Sequence, residues 1–203
     1  AVAMTGYTAN GTTNSASVQG NTLYYGTASL ASAGLTSAAT AAVPTANVNA
    51  GTTGYTFWSA PLQVNTRTVW LKMVNFRMVG SAPSDALANI KLFVDGIDTG
   101  KMGTVMMING SSYVVFDLTS APLSLLTGSH TVDMRADVQK GTNRTVQVSI
   151  QNASDMTIFD PQVGVNVAVS STTAGSFSSN SAGTISILTG TVTVVVDPTF
   201  TAQ

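Results

Sequence analysis

The 203-residue sequence predicts an all-β protein, an Ig-like or jelly-roll antiparallel β-sandwich with an extended N-terminal arm and a C-terminal strand. Three observations support this class. Segments of alternating polar and apolar residues, rich in β-branched side chains, recur along the chain. Turn residues separate these segments at intervals of about 8–12 residues, which is typical of a sandwich rather than of a βαβ sheet. The alanine-rich stretch 30–42 has no amphipathic stripe, so we expect it to be extended or irregular.

Strand-like alternation and sharp turns together give the order of elements. Asn109-Gly110 predicts a hairpin between 105–108 and 113–118, because both central residues of a type I′ turn need positive φ. Asp95-Gly96 is a second turn of this kind. The predicted strands are residues 22–30, 55–64, 68–79, 90–94, 105–108, 113–118, 130–138, 145–151, 163–169, 184–188 and 191–196.

The faces of these strands differ in polarity. Residues 131–138 and 145–151 are apolar on one face and polar on the other, as expected for an antiparallel sandwich with one solvated side. Asp133 and Asp137 share the polar face with Arg135, which predicts a solvated ladder of charges. Residues 69–79 are apolar on both faces, so we expect an appendage or another subunit to cover the second face.

Charge divides the chain into regions. Sixteen of its seventeen charged residues lie within 67–160, and the remaining one is Asp197. We interpret 54–169 as the β-sandwich core and 1–53 as an uncharged arm with an edge strand around 22–30. Residues 170–183, rich in serine, threonine and glycine, are typical of a linker. Residues 184–203 are predicted to form one or two apolar C-terminal strands.

Composition excludes several functional classes. A net charge of −1 with no basic cluster is not the footprint of a nucleic-acid-binding protein. No run of 18 apolar residues is present, so no membrane span is predicted. The start Ala1-Val2-Ala3-Met4 is interpreted as a mature terminus after signal-peptide removal, although a trimmed chain would look similar. We therefore expect an extracellular or cell-surface protein.

Residues that carry chemistry are few. The chain has no cysteine, and its single histidine, His130, cannot form a histidine-based zinc site alone. Nucleotide-binding, hydrolase and zinc-helix motifs are absent from the sequence. We expect His130 to be structural, and no catalytic residue, metal or cofactor is predicted. The aspartate pairs do not match the spacing of a calcium loop; they are Asp95 with Asp98, Asp133 with Asp137, and Asp155 with Asp160.

Glycans enter the prediction in two ways. Four sequons are possible glycosylation sites, at Asn10, Asn109, Asn143 and Asn152, although the hairpin turn explains Asn109 equally well. Several aromatic residues could form a sugar-binding platform, but most are more simply core or interface residues. These aromatic residues are Tyr24, Tyr25, Trp58, Trp70 and Phe177.

Two features of the sequence indicate a protein that functions within an assembly. Only 8% of the residues are charged, whereas surface charge is what keeps proteins soluble and monomeric. The segment 191–196, Thr-Val-Thr-Val-Val-Val, would aggregate unless it is always paired. It can pair within its own sheet or complete the sheet of a neighbour, and the second arrangement propagates head to tail. Val192, Val194 and Val196 then form the assembly strand.

Residues 46–169 also resemble Ig-like β-sandwich modules of secreted surface proteins of ultrasmall candidate-phylum bacteria (Patescibacteria). The resemblance implies a tandem surface-layer or adhesive module without catalytic residues, and 190–198 resembles the opening strand of a following module. The residues that carry it are Gly51-Thr52, Leu92-Phe93-Val94-Asp95-Gly96, Val115-Phe116, a glycine before Arg135-Ala136-Asp137, 143–150 and Asp160.

These observations predict a self-assembling structural subunit of an extracellular filament or surface layer. Its partners would be copies of itself, joined by β-strand complementation. The alternative is a monomeric carbohydrate-binding or adhesive module on the cell surface. An exported enzyme ranks third.

Overall fold

The computed structural model describes residues 7–9, 12–14, 30–35, 43–171, 177 and 179–190. They form β-strands and one short 3-10 helix, Ala153–Asp155. The strands are β1 Tyr7–Ala9, β2 Thr12–Asn14, β3 Ser32–Leu35, β4 Ala46–Asn49, β5 Tyr55–Asn65, β6 Val69–Gly80, β7 Leu87–Val94, β8 Ile97–Met102, β9 Thr104–Ile108, β10 Ser111–Asp117, β11 Leu123–Leu125, β12 Gly128–Val138, β13 Arg144–Ile150, β14 Met156–Asp160, β15 Val165–Val167, β16 Val169–Ser171, β17 Asn180–Ser181 and β18 Ile185–Leu188.

Two sheets form a sandwich, which confirms the predicted all-β class. The smaller sheet has the order β16-β3-β5-β12-β7-β8. The larger sheet runs β9-β10-β6-β13-β18-β4 through one half, and β11-β6-β14-β15 through the other, because the long strand β6 pairs with two strands on each side. Most pairs are antiparallel as predicted, but β16 pairs with β3 and β18 pairs with β4 in parallel.

Aromatic rings join the two sheets at the centre of the core. Trp58 of β5 packs against Phe76 of β6 with ring centroids 5.0 Å apart, and Phe76 contacts Phe116 of β10 edge-to-face at 5.9 Å. All three side chains are buried. Burying one side chain of this size contributes roughly 1.5–3 kcal/mol, so this cluster is a major part of the hydrophobic stabilisation.

The expectation that β6 is apolar on two faces was wrong, and a β-bulge explains why. Ile158 pairs with Leu71 but Thr157 pairs with Met73, so one residue of β6 is extra at this point. A bulge reverses the phase of a strand. Leu71 and Val74 are therefore both buried, whereas Trp70 remains 38% exposed on the outer face.

The predicted single strand 163–169 was also wrong. Val165–Val167 pairs with β14 in the larger sheet, whereas Val169–Ser171 pairs with β3 in the smaller one. The chain therefore crosses between the two sheets at Ala168. Val167 and Val169 are both buried, so the apolar pattern continues through the crossing and conceals it in the sequence.

β1 and β2 form a separate two-stranded sheet, whereas segments before and after 54–169 contribute strands to the sandwich. β3 pairs with β5, and β18 lies between β13 and β4 with Ile185 and Ile187 completely buried. Sheet residues are therefore found on both sides of the 54–169 segment. The edge strand predicted around 22–30 lies outside the described residues except for Leu30, and 191–196 lies outside them entirely.

The predicted solvated ladder of charges on β12 was wrong at Asp133. This carboxylate is only 6% exposed, and it accepts hydrogen bonds from the Ser59 hydroxyl and the Arg135 guanidinium, each at 2.7 Å. Arg135 also lies over the Phe93 ring, with 4.2 Å between its Cζ and the ring centroid. Neighbouring strands thus supply partners that local spacing does not reveal.

Candidate functional site: an unpaired apolar sheet edge

The chain passes from the smaller sheet to the larger one at Gly103, between β8 and β9. Its amide donates a hydrogen bond to the Ile90 carbonyl at 2.8 Å. A Cβ at Gly103 would stand 2.7 Å from both Phe116 Cζ and Val114 Cγ1, closer than atoms can pack. Glycine is therefore required for β9 to begin directly against the core.

The strand β9 forms the predicted hairpin with β10. Ser111 pairs with Ile108 and Val115 pairs with Thr104. Asn109 has φ 49° and Gly110 has φ 74°, which confirms the turn with two positive φ angles. No strand in the described part of the chain pairs with the other side of β9, so that side presents free backbone donors and acceptors.

The side chains of β9 make this edge apolar. Met106 is 49% exposed, Met107 67% and Ile108 36%. The strand has no charged residue, proline, glycine or bulge, which are the features that protect edges against pairing. An exposed, uncharged, apolar edge of this kind is suited to pairing with a further strand.

A cleft of about 210 Å³ opens beside Met107. Ser112 pairs with Met107 across the hairpin, and its buried Oγ has no hydrogen-bond partner in the described structure. Such an atom costs free energy unless something binds it, so the cleft is suited to an occupant that brings both apolar and hydrogen-bonding groups. The lining residues are Met78, Val79, Gly80, Ala82, Ser84, Met107, Ser112, Thr145 and Val146.

The predicted assembly strand, with Val192, Val194 and Val196, lies outside the described residues, but the structure shows where it is attached. The Leu188 carbonyl accepts a hydrogen bond from the Ala50 amide at 3.0 Å, and the Ala50 carbonyl oxygen would lie 2.5 Å from a Cβ on Gly190. Gly190 thus lies in line with β18, beside the end of β4. Four strand spacings separate β18 from β9, or about 19 Å.

The sequence identified β9 as a strand but not as an exposed edge. The signal it offered was the run Val105-Met106-Met107-Ile108, which is apolar without alternation beside a tight turn. Neither Ser112 nor the cleft was predicted, because both depend on the loop at 81–84 that approaches from elsewhere in the chain.

The aromatic residues considered for a sugar-binding platform lie in different environments. Trp58 is 1% exposed and donates from Nε1 to the Asn180 carbonyl at 3.3 Å, so it belongs to the core. Phe177 packs partly buried against the core, and Tyr24 and Tyr25 lie outside the described residues. Of the three that the structure describes, only Trp70 is available on a surface.

Three of the four sequons are on exposed positions of turns or loops. Asn109 lies in the β9–β10 turn, Asn143 precedes β13, and Asn152 precedes the 3-10 helix. Asn10 lies outside the described residues. Their accessibility fits glycosylation, which stays a prediction.

His130 is held at the surface by two acceptors. Its Nδ1 is 2.7 Å from Asp95 Oδ2, and its Nε2 is 2.9 Å from the Leu126 carbonyl oxygen. Burial by itself lowers the pKa of His130, but the hydrogen bonds to Asp95 and Leu126 and the charge of Asp95 outweigh it and raise that pKa above its ordinary value. The arrangement is a structural clamp between the β7–β8 turn and the start of β12.

The carboxylates of Asp155 and Asp160 accept hydrogen bonds from backbone amides. Asp155 accepts hydrogen bonds from the amides of Gln151 and Asn152. Asp160, completely buried, accepts them from Ala31, Gln162 and Val163. Burial acts to raise the pKa of Asp160, but these amides and the nearby Arg67 lower it below its ordinary value. Within the described ranges, no three histidine or carboxylate side chains converge as a metal site would require.

Comparisons with known proteins give only distant likenesses. No family model matches the sequence, and no curated protein matches it. CaCohA2 from Clostridium acetobutylicum matches with a TM-score of 0.33 and 12% identity, over 77% of this chain and 91% of that one. The seventh ScaB type I cohesin from Pseudobacteroides cellulosolvens matches with 0.32 and 11%, over 82% and 97%. A non-cellulosomal cohesin from Archaeoglobus fulgidus matches with 0.30 and 12%, over 77% and 91%. These values define no correspondence of functional residues.

The described segments contain no helix with the length and apolarity needed to cross a bilayer.

Proposed function

We propose that this protein is a self-assembling structural subunit of an extracellular filament or surface layer. In this proposal, residues 191–196 of one copy add a strand to the free side of β9 in the next copy. The observation that carries it is β9 itself, a described edge strand with three exposed apolar side chains and no feature that prevents pairing.

The donor segment suits this acceptor in composition. Thr191-Val-Thr-Val-Val-Val196 combines high β propensity with no charge and no proline. In an extended strand Val192, Val194 and Val196 share one face. Val105 and Met107 lie on the same side of the hairpin as Val114 and Ser112, the side on which the cleft opens. In this proposal the donor strand places its valine face at the cleft and Thr191, Thr193 and Val195 on the opposite side.

The reach of the chain supports a partner in another copy. Residue 191 follows Gly190 in line with β18, about 19 Å from β9 by strand spacing. Six extended residues span only about 20 Å. Residues 191–196 would therefore be used up in crossing the sheet, and could not also pair along β9 of their own copy. Donor and acceptor lie on different patches, so the contact is heterologous, and such contacts propagate into filaments when they do not close into rings.

An extracellular setting fits the described surface. Three sequons are exposed, and surface charge is low throughout. The resemblance to secreted surface modules, on residues 46–169, implies the same location. Glycans on Asn109 would stand at the end of β9, so their presence there would also bear on how neighbouring copies approach.

Disulfide cross-linking tests the proposed pairing directly, because the chain has no cysteine of its own. Met107→Cys would be combined with Val192→Cys, Val194→Cys or Val196→Cys in turn. We expect at least one combination to give a ladder of covalent oligomers on a non-reducing gel, since each subunit then carries one donor and one acceptor thiol.

The matched control places the acceptor thiol on the other sheet edge. Lys101→Cys of β8, combined with the same donor cysteines, should give no ladder. Equal ladders from both acceptors would overturn the assignment of β9. Full-length protein that shows neither fibres nor sheets by electron microscopy at high concentration would overturn the assembly itself. A chain ending at Gly190 should remain folded but unassembled, because Ile185 and Ile187 stay in place.

A further inference from the structure

A second exposed feature lies on the outer face of the larger sheet, away from β9. Trp70 is 38% exposed there and stacks beside Phe159, with ring centroids 5.9 Å apart and ring planes at 28°. The strand register sets Ser124 on one side of Trp70, and Asn166 on the far side of Phe159. One row of neighbouring side chains across the sheet therefore has the two aromatic rings at its centre and a polar residue at each end.

The exposure of Trp70 follows from the bulge in β6. Leu71 and Val69 point into the core on either side of it, so the indole must point outward. An exposed tryptophan is informative because most large aromatic side chains bury most of their surface. The other tryptophan, Trp58, is 1% exposed, so the two indoles of the chain occupy opposite environments.

A lysine completes the feature. The ammonium of Lys72 lies 3.4 Å from the centroid of the Phe159 ring. It covers that ring, which leaves the indole of Trp70 as the open aromatic surface with a cation close by. No carboxylate of the described chain forms an ion pair with Lys72. Asp117, the acid nearest in register, is hydrogen-bonded to the Thr119 amide at 3.0 Å.

We propose that Trp70 and Lys72 form a binding site for acidic polysaccharide, with a hexuronate residue as the recognised unit. The apolar C–H face of the pyranose ring would pack on the indole, and its carboxylate would accept a charge-assisted hydrogen bond from Lys72. Ser124 and Asn166 stand at the two ends of the row, where they can hydrogen-bond ring hydroxyls. A few polar groups around an aromatic surface are what fix the orientation of such a ligand.

The site is separate from the proposed assembly edge. Trp70 pairs with residues of β11 and β14, whereas β9 pairs only with β10 in the described structure. The two proposals therefore stand independently, and the same subunit can assemble through its edge while it binds glycan through its face. Failure of one leaves the other intact.

Tryptophan fluorescence of the full chain gives a direct readout. Iodide reaches exposed indoles, so the quenchable emission reports on Trp70 and the remainder on Trp58. We expect oligogalacturonate to reduce iodide quenching in the unmodified protein, and neutral cello-oligosaccharides to do so at least about 10-fold more weakly. Because Trp70→Ala also removes the fluorescent reporter, its binding is measured by isothermal titration calorimetry beside the unmodified protein, and we expect it to bind no oligogalacturonate. Lys72→Met should weaken oligogalacturonate binding about 10-fold or more and remove its salt dependence, which follows from the loss of one charge-assisted contact.

Matched variants show whether binding depends on this face of the sheet. Lys101→Met removes a lysine from the other sheet and should bind oligogalacturonate normally. Thermal unfolding of each variant by circular dichroism verifies the fold, and Trp70→Phe keeps an aromatic ring where Trp70→Ala does not. Unchanged binding in Trp70→Ala, or equal binding of neutral and acidic sugars in the unmodified protein, would overturn the proposal. So would iodide protection that rises with protein concentration alone, because the face would then be a contact between copies.

Discussion

The strands β8 and β9 are consecutive in the chain, yet they form edges of opposite character. Both are the last strands of their sheets in the described structure, and only Gly103 separates them. β8 contains Asp98 and Lys101, whereas β9 has no charged residue. The β8 edge has features that oppose pairing with a further strand, and the β9 edge has none, although both edges are exposed to solvent.

The protection of β8 has identifiable parts. Asp98 forms an ion pair with Lys91 at 2.7 Å, and Lys101 donates to the Ala121 carbonyl at 2.8 Å. The register shifts between Leu92 and Phe93, where an irregularity interrupts the pairing of β7 with β8. Charges and bulges are devices that natural sheets use against edge pairing. β9 has neither, so its free side remains open to pairing.

The largest expected effect is the loss of assembly in Met107→Lys. An ammonium at this position would be buried beside the cleft when a strand pairs with β9, without a carboxylate to meet it. Burying an unpaired charge at an interface costs about 2–5 kcal/mol, so we expect the critical concentration for assembly to rise about 30-fold or more. Sedimentation velocity and electron microscopy measure this change.

Ile97→Lys is the matched control for that variant, since Ile97 is an exposed apolar residue (71%) at the protected edge. It should assemble as the unmodified protein does. Both variants should unfold at the temperature of the unmodified protein, because neither side chain is buried. Comparable loss of assembly in the two variants would mean that any added positive charge opposes assembly. That result would contradict the proposed difference between the β8 and β9 edges.

The second prediction concerns the junction between the two strands. Gly103→Ala forces a methyl group against Phe116 and Val114, and overpacking of this kind typically costs about 1–3 kcal/mol. We expect urea denaturation to show that loss of stability, with assembly weakened only as far as β9 is displaced. Thr104→Ala, one residue further and exposed, should be close to neutral. A neutral Gly103→Ala would show that β9 is not held tightly against the core.

The sequence predicted the class of fold and the β9–β10 hairpin, because alternation and positive-φ turn residues are local signals. It could not predict the phase change in β6 or the crossing at Ala168. At the bulge in β6 the side chains change face, and at the crossing the chain changes sheet. The residues stay apolar in both places, so the hydrophobic pattern of the sequence shows no break. The exposure of Met107 and Trp70 could not be predicted either. Only the order of the strands leaves the first at a sheet edge and the second on an outer face.

The smallest expected effect is the pH dependence that His130 and Asp95 add to the stability of the protein. The Asp95 carboxylate and the Leu126 carbonyl only accept hydrogen bonds, so His130 satisfies both when it is protonated. The pKa of His130 is raised above the ordinary value of 6.5. The hydrogen bond from His130 is the main reason why the pKa of Asp95 is lowered below 3.8.

The signs of the two shifts define the pH window. The His130 contribution is fully present below pH 6.5, the pKa of the unfolded chain, and is lost as pH rises through the higher pKa of the folded state. The Asp95 contribution is present above 3.8 and is lost as pH falls through its lowered pKa. Partly exposed pairs of this kind contribute roughly 0.2–1 kcal/mol. Chemical denaturation of the unmodified protein and of His130→Gln should therefore differ most between about pH 4 and 6.5 and converge at higher pH.

Assembly should be insensitive to pH across the titration of His130, because neither β9 nor the segment 191–196 contains a titratable side chain. The contrast between the two edges then appears in a single experiment, as a stability that changes with pH and a critical concentration that does not. If the critical concentration followed the protonation of His130, the contact between copies would have to include the β7–β8 turn, and β8 rather than β9 would be the edge that meets a neighbour.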